Sequence, residues 1–359
     1  MYFEIHNNFK LNDTSFTTKE ELLLFSNTIF ELNFISQFLD NTETIKLQTS
    51  GSTGAPKVIE VRKECMINSA QATGNFFNLK EDTKALLCMN PNYIGGKMML
   101  VRAMLLGWHL DVVTPSSNPL KHSATIYDFS AMVPLQVHNS LKDLQKVKKL
   151  IIGGGVVSNL LKMALQNIST ECYGTYGMTE TVSHIAVEKL NNFLSDTERS
   201  LSVYKIFPNV KISKDHRNCL VIDAPKVAET KIVTNDVIEL ISNVAFTWLG
   251  RYDNIINSGG VKLNPEQIEE KLSPIIHQRF FVAGIPDERL GEKLILVIEE
   301  EVDSNIILDM IAERSRSKAK NLTPLSKFEI PKQVFCIPKF IETETKKIQR
   351  KETLDLINF

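Results

Sequence analysis

Thr49-Ser50-Gly51-Ser52-Thr53-Gly54-Ala55-Pro56-Lys57 gathers hydroxyls, two glycines and a lysine into nine residues, directly after the alternating apolar positions Ile45 and Leu47. Glycines let the backbone turn tightly and aim N–H groups at an anion, hydroxyls add donors, and Lys57 adds a point charge. The stretch reads as a polyphosphate cradle. It is not a Walker A loop, because Pro56-Lys57-Val58 stands where Gly-Lys-Ser/Thr is required. Val58-Ile59-Glu60-Val61 then reads as a strand, not the helix that a Walker A loop opens into. The expectation is a mobile hairpin that folds over phosphates. An ordinary Gly/Ser surface turn is the competing reading of this stretch taken alone.

Working outward, residues 19–39 predict a helix with apolar positions Leu22, Leu23, Phe25, Ile29 and Phe30, and 64–78 predicts another. Ala85-Leu86-Leu87-Cys88-Met89 predicts a buried strand, and a helix over 97–106 follows Gly95-Gly96. Leu150-Ile151-Ile152 is a short apolar strand that runs into Gly153-Gly154-Gly155 and then an amphipathic helix with Leu160, Leu161, Ala164 and Leu165. Strand, glycine turn and helix repeated in this way indicate an α/β layered fold with ligands near strand C-terminal ends. Past about residue 250 the texture changes to a compact α+β unit of about a hundred residues, an ordinary domain size. Its helix start is Asn264-Pro265-Glu266-Gln267, with an Asn N-cap, Pro at N1 and Gln at N3. Strands are predicted over Arg279–Ala283, Leu294–Glu299 and Gln333–Ile337, and a helix near 304–316. The division is placed at Gly250, giving 1–249 and 250–359.

A chain of 359 residues can bury a sizeable core. A net charge of −1 gives no support for nucleic-acid or anionic-membrane binding, and Lys146-Val147-Lys148-Lys149 reads as a solvated helix end. No apolar run reaches membrane-spanning length, and Met1-Tyr2-Phe3-Glu4-Ile5-His6 lacks the layout of a signal peptide. Five cysteines without CxxC spacing indicate neither a zinc site nor a disulfide framework, and a reduced cytoplasmic setting fits. The histidines lack ligand spacing; His184, in an alternating segment, reads as packing. Oligomeric state is left open, a homo-oligomer included.

Further motifs follow the loop in order. Tyr176-Gly177-Met178-Thr179-Glu180 offers an aromatic face for a purine, a hydroxyl, and a carboxylate of the kind that binds Mg²⁺ beside phosphates. Thr234-Asn235-Asp236 brings a carboxylate able to accept from two ribose hydroxyls. Gly250-Arg251-Tyr252-Asp253 leads to Ser258-Gly259-Gly260-Val261-Lys262, and Lys346-Lys347-Ile348-Gln349-Arg350 lies near the end.

Together these motifs resemble the adenylate-forming superfamily of acyl-CoA synthetases, luciferases and peptide-synthetase adenylation domains, over about residues 45–350. The resemblance implies a large ATP-binding domain, a small α+β C-terminal lid, and the co-substrates ATP, Mg²⁺ and CoA. It assigns Ser50, Gly51, Ser52, Thr53, Gly54 and Lys57 to the β- and γ-phosphates, Thr179 to the α-phosphate and Glu180 to Mg²⁺. Tyr176, followed by Gly177, would stack on adenine, Gly153, Gly154 and Gly155 would line the adenine and acyl pockets, and Asp236 and Arg251 would grip the ribose. Asp253 resembles the hinge on which the lid turns, and Gly259 and Gly260 the flank of the pantetheine tunnel. Lys347 resembles the lysine that bridges the acyl carboxylate and the α-phosphate. Two departures stand out: Asn235 replaces the usual Gly of Thr-Gly-Asp, and Lys346 replaces the Gly before the lysine, which leaves Lys346 as the alternative to Lys347.

The first subdomain is short for this superfamily, so part of it must be missing or rebuilt. Within the superfamily the pattern is most similar to the 2-succinylbenzoate–CoA ligases of menaquinone biosynthesis. The small-molecule partner so implied is a dicarboxylate, whose unreacted carboxylate needs a cationic or donor partner. Tyr93, Lys97, Arg102 and Ser183 are the candidates, against the reading of Lys97 and Arg102 as solvated helix residues. The rivals are a ligase for another acid, an enzyme that loads a carrier-protein thiol, and a nucleotide-binding protein without catalysis.

Overall fold

Leu86 and Leu87 are adjacent and fully buried, yet they belong to different hydrophobic cores. Successive strand residues face opposite sides, so a strand without polar positions must be covered on both. Leu150 and Ile152 likewise join the core of Leu86, while Ile151 joins that of Leu87. Helices Lys63–Phe77 and Ile94–Leu106 cover one face, and Pro134–Asn139 and Asn159–Leu165 the other. The computed structural model describes residues 3–29, 32–48, 57–193, 195, 203–316, 324–343 and 347–357.

These strands form the parallel half of a thirteen-stranded sheet. His109–Val112, Lys84–Leu87, Tyr127–Met132, Val147–Ile152 and Glu171–Gly177 lie side by side in parallel. The direction then changes: His184–Lys189 pairs antiparallel with Glu171–Gly177, and Tyr204–Ile206, Ala245–Arg251, Ile232–Ser242 and Cys219–Asp223 continue the antiparallel half. Thr44–Gln48 and Val58–Arg62 form a separate antiparallel hairpin, as expected for the arms of the phosphate loop.

From Ile256 onward a five-stranded sheet has its own two cores. Val282, Leu294, Leu296 and Ile298 pack on one face beneath helices Pro265–Leu272 and Ser304–Arg316; Phe281, Ala283, Ile295 and Val297 pack on the other. Gly259 and Gly260, both at positive φ (59° and 81°), make the two-residue turn between Ile256–Ser258 and Val261–Leu263. That is the geometry of a primed hairpin turn, where residues with a Cβ are strained.

Several expectations need correction. The single helix over 19–39 is two, Lys19–Ser26 and Asn33–Leu39. The N–H groups of Thr28 and Ile29 bond back three residues to Phe25 and Ser26, and the Thr28 hydroxyl takes the Phe25 carbonyl at 2.7 Å, which ends the first helix. Asn264 and Pro265 occupy N-cap and N1, but the Asn264 side chain makes no cap bond and reaches the Gln267 side chain at 3.4 Å instead. Of Lys146-Val147-Lys148-Lys149 only Lys146 is a helix end, closing the 3-10 turn Leu144–Lys146 with its ammonium on the Leu120 carbonyl; Val147 opens strand Val147–Ile152, where Lys148 pairs with Asp128 at 2.8 Å and Lys149 bonds to the Phe77 carbonyl. Among the described residues no helix is long and apolar enough to cross a membrane.

Gly95 and Gly96 lie inside the first turn of helix Ile94–Leu106 rather than before it. At Gly96 a Cβ would come within 2.5 Å of the Asn90 carbonyl oxygen and 2.7 Å of the Pro91 Cα, both backbone atoms that cannot swing aside. Gly155 has only ordinary contacts, at 3.7 and 3.8 Å from Pro134. Gly96→Ala is therefore expected to lose about 1–3 kcal/mol of stability through overpacking, while Gly155→Ala stays within about 0.5 kcal/mol of wild type. Urea unfolding of the two variants side by side measures the contrast.

Candidate active site

The parallel strands Tyr127–Met132, Val147–Ile152 and Glu171–Gly177 end along one edge, at the point where the sheet turns antiparallel. Crevices beyond strand C-termini at such a switch hold ligands in open α/β sheets. Gly153 leaves its strand with its N–H bonded to the Met132 carbonyl at 3.1 Å, and a Cβ there would meet the Thr175 hydroxyl at 2.5 Å. Gly154 turns with φ 78°. The triglycine thus gives a backbone wall with no side chains at this edge.

Tyr176 and Gly177 finish the neighbouring strand. Gly177 lies so close to the returning chain that a Cβ would stand 2.3 Å from the Ser183 carbonyl oxygen. Between them Thr179–Thr181 form a short 3-10 turn. Val182 follows at φ 65° and ψ −49°, with the Ser183 N–H bonded to the Thr181 carbonyl at 2.7 Å. This is the rare, strained γ-turn, and a β-branched residue at positive φ is an outlier of the kind found at functional sites. The reversal leaves the Glu180 carboxylate exposed and Thr179 buried beside it, and it directs Ser183 inward.

Asp236 is buried and multiply held: Tyr176 Oη donates to it at 2.6 Å, Trp248 Nε1 at 3.1 Å, and the Arg251 guanidinium stands 3.8 Å away. The Tyr176 ring packs edge-on against Tyr204 and Phe246, with centroids at 5.7 and 5.2 Å. Burial, followed by the negative charge of Asp236, pushes the Tyr176 phenol well above its usual range. Arg251 also pairs with Asp253 at 3.0 Å. Asn235 has a definite role here: its amide donates to Asp253 at 3.1 Å and accepts from Arg217 at 2.8 Å, while the Arg217 guanidinium lies 5.2 Å over the Tyr252 ring.

Lys347 faces the same region. Its segment is held by an isolated antiparallel bridge between Glu342 and Ile348, with Thr343 N–H bonded to the Lys347 carbonyl at 2.9 Å and Gln349 N–H to the Ile341 carbonyl at 2.8 Å. Burial, with the positive charge of Arg251 added, draws its ammonium below the ordinary lysine range. Thr49–Pro56, which include Ser50, Gly51, Ser52, Thr53 and Gly54, and Lys346 lie outside the described residues.

The four acyl-site candidates separate sharply. Tyr93 is an exposed N-cap of helix Ile94–Leu106, and Lys97 is half-buried with its ammonium 5.6 Å from the centre of the Phe34 ring. Arg102 is 1% exposed, so the solvated reading fails for it. Its Nη2 donates to Ser183 Oγ at 2.8 Å, its Nη1 touches the Met99 sulfur at 3.8 Å, and its Nε has no partner. Among the described residues no carboxylate pairs with it. Burial lowers its pKa to about 9, which still leaves it charged at neutral pH.

Sequence reasoning missed Trp248 and Arg217, and it read His184 as packing alone. Trp248 reaches Asp236 only because their strands pair antiparallel, and Arg217 reaches Asn235 from another turn, so neither carries a local signal.

Residues 47–223 match the family model described as AMP-binding enzyme. An acyl-CoA synthetase (AMP-forming)/AMP-acid ligase II-like protein from Dyadobacter fermentans is 36% identical; the match covers 90% of this chain and 93% of that one, with a TM-score of 0.58. The chain therefore belongs to the AMP-binding enzyme family, among the AMP-forming acyl-CoA synthetases. A curated relative, the 2-succinylbenzoate–CoA ligase of Bacillus cytotoxicus, is 24% identical over 349 residues, which is 87% of this chain and 69% of the relative. The fold is also that of the O-succinylbenzoate coenzyme A synthetase of Bacillus subtilis, solved with ATP and magnesium ion. That protein is 20% identical with a TM-score of 0.72, and the match covers 86% of this chain and 69% of that one.

The Tyr176–Asp236 pair has a pH consequence. A phenol that keeps its proton in the folded state above the unfolded value of about 10 makes the folded chain bind more protons there. Stability is thus fully present below about pH 10 and falls as pH rises past it. Urea midpoints at pH 8 and 10.5 should drop less in Tyr176→Phe than in wild type, the remaining slope coming from residues such as the half-buried Tyr204, whose phenol is also raised.

Proposed function

We propose that this protein joins 2-succinylbenzoate to CoA in two steps through an acyl-adenylate, in menaquinone biosynthesis and in the cytoplasm. One observation carries the substrate reading: Arg102 is a buried cation with no acid beside it among the described residues, bonded to Ser183 from the turn that also bears Thr179 and Glu180. A buried charge without a counter-charge is costly. A dicarboxylic acid supplies that charge with its unreacted group while its other carboxylate reaches the phosphates. The names of the relatives point the same way.

In this reading residues 1–249 bind ATP and the acid, and 250–359 form a mobile lid hinged at Asp253. The attacking carboxylate is already ionised at neutral pH, its ordinary pKa being about 4, so no general base is needed. What the chain must supply is alignment and positive charge around the α-phosphate. Thr179 and Lys347 contact that phosphate, Lys57 and the Ser50–Gly54 loop hold the β- and γ-phosphates, and Asp236 and Arg251 hold the ribose. Mg²⁺ would bind Glu180 together with phosphate oxygens. This suits its habit of using one or two carboxylates plus substrate phosphates, and among the described residues no group of three or more His, Cys, Asp or Glu could hold a metal by itself. After lid rotation the Gly259-Gly260 turn would flank the pantetheine arm, whose thiol attacks the acyl carbonyl and releases AMP.

The primary test is AMP release with Mg·ATP and CoA, comparing 2-succinylbenzoate with benzoate, acetate and medium-chain acids; the expected result is release only with 2-succinylbenzoate. Release with another acid instead would retain the ligase and discard this substrate. Arg102→Ala should raise KM for 2-succinylbenzoate at least tenfold, since a hydrogen-bonded charge contributes about 1.5–3 kcal/mol, and leave KM for ATP near its wild-type value; equal KM values for the acid would remove Arg102 from the site. Lys347→Ala should abolish acyl-adenylate formation yet still make thioester from supplied acyl-adenylate. Unimpaired adenylation in that variant would hand the role to another lysine, Lys346 first.

A further inference from the structure

Arg102, Ser183, His184 and Thr73 form one hydrogen-bonded line through the core. Arg102 Nη2 is 2.8 Å from Ser183 Oγ, Ser183 Oγ is 3.2 Å from His184 Nδ1, His184 Nε2 is 3.3 Å from Thr73 Oγ1, and Thr73 Oγ1 donates to the Ser69 carbonyl at 3.0 Å. The protons along this line can be assigned from donor and acceptor capacity alone. A guanidinium has only donors, so Ser183 accepts from Arg102. The Thr73 proton is committed to the Ser69 carbonyl, so the Thr73 oxygen accepts from His184, and Nε2 carries a hydrogen. That leaves Nδ1 bare to take the single proton of Ser183. Every link is satisfied by a neutral imidazole in the Nε2–H form.

The surroundings hold that state. Burial and the neighbouring Arg102 charge keep His184 well below the usual histidine range. Its ring stands edge-on to Phe207 at 5.1 Å, and Phe207 stacks on Phe76 at 4.7 Å, so the imidazole is wedged. The line also joins three elements: helix Lys63–Phe77 carries Thr73 and Ser69, helix Ile94–Leu106 carries Arg102, and the γ-turn delivers Ser183.

We propose that His184 is a positioning residue for acid recognition. By taking the Ser183 proton it fixes the serine as a pure acceptor for Arg102, which pins the guanidinium and leaves its unpaired Nε edge for the acid's second carboxylate. Without His184 the Ser183 hydroxyl can rotate its proton, and Arg102 loses its anchor. This rests on the dicarboxylate reading above.

The experiment measures KM for 2-succinylbenzoate and for ATP in Arg102→Ala, His184→Leu, His184→Gln and Thr73→Val, with thermal melts of each. A glutamine can accept with its oxygen and donate with its nitrogen, so it preserves the line. His184→Leu should raise KM for the acid about tenfold, the scale of one charge-assisted hydrogen bond, with KM for ATP and kcat little changed. Thr73→Val should move the acid KM the same way by a smaller factor, and His184→Gln should restore it close to wild type. If Arg102→Ala raises the acid KM while folded His184→Leu and Thr73→Val leave it unchanged, His184 has no positioning role and the substrate reading stands. A glutamine variant as impaired as leucine overturns the proposal in the same way. Should His184→Leu fail to fold, Thr73→Val and His184→Gln decide between the same outcomes. An unchanged acid KM in Arg102→Ala removes the substrate reading and this inference with it.

Discussion

The reversal between Gly177 and His184 is too tight for a side chain at its base, and the site is organised by that constraint. Backbone atoms of Ser183 and His184 occupy the space a Cβ of residue 177 would need. Closing the turn then forces Val182 into a conformation β-branched residues avoid. The cost is met by the pairing of Glu171–Gly177 with His184–Lys189 and by the buried position of Val182. In return, one short segment carries a buried Thr179, an exposed Glu180 and a Ser183 bonded to Arg102. The spacing of these three side chains is fixed, because the turn has no slack.

Much of this was legible in the chain. Uninterrupted apolar triplets such as Leu150-Ile151-Ile152 can only be strands buried on both faces, and the motif residues cluster at the ends of those strands because glycines mark where the chain leaves a sheet. What the sequence hid depends on pairing between distant segments. Trp248 contacts Asp236 through an antiparallel register, and His184 gains meaning only from Arg102 and Thr73 on two other helices. The depth of Arg102 was hidden for a related reason: helix Ile94–Leu106 buries polar and apolar positions alike, so no amphipathic pattern sets its arginine apart from a solvated one.

Asn235, where the superfamily pattern has glycine, is explained by what it touches. A glycine would leave Arg217 and Asp253 without a connecting group; the amide links them by accepting from one and donating to the other. The region around Asp253 is therefore held by Arg251, Asn235 and, through the ring of Tyr252, Arg217. These are partly exposed contacts of modest individual strength.

Arg350 follows Lys347 by three residues and is tied to a helix much earlier in the chain. It pairs with Glu269 at 2.8 Å and lies 3.6 Å from Glu266, both on helix Pro265–Leu272. Glu266 in turn rests against Gly250, where a Cβ would come within 2.4 Å of its carboxylate. The lysine is thus no independent arm. The bridged segment that carries it, that helix and Gly250 are joined through one shared cation. A load placed on any of the three is shared by the other two, as in a truss pinned at one joint.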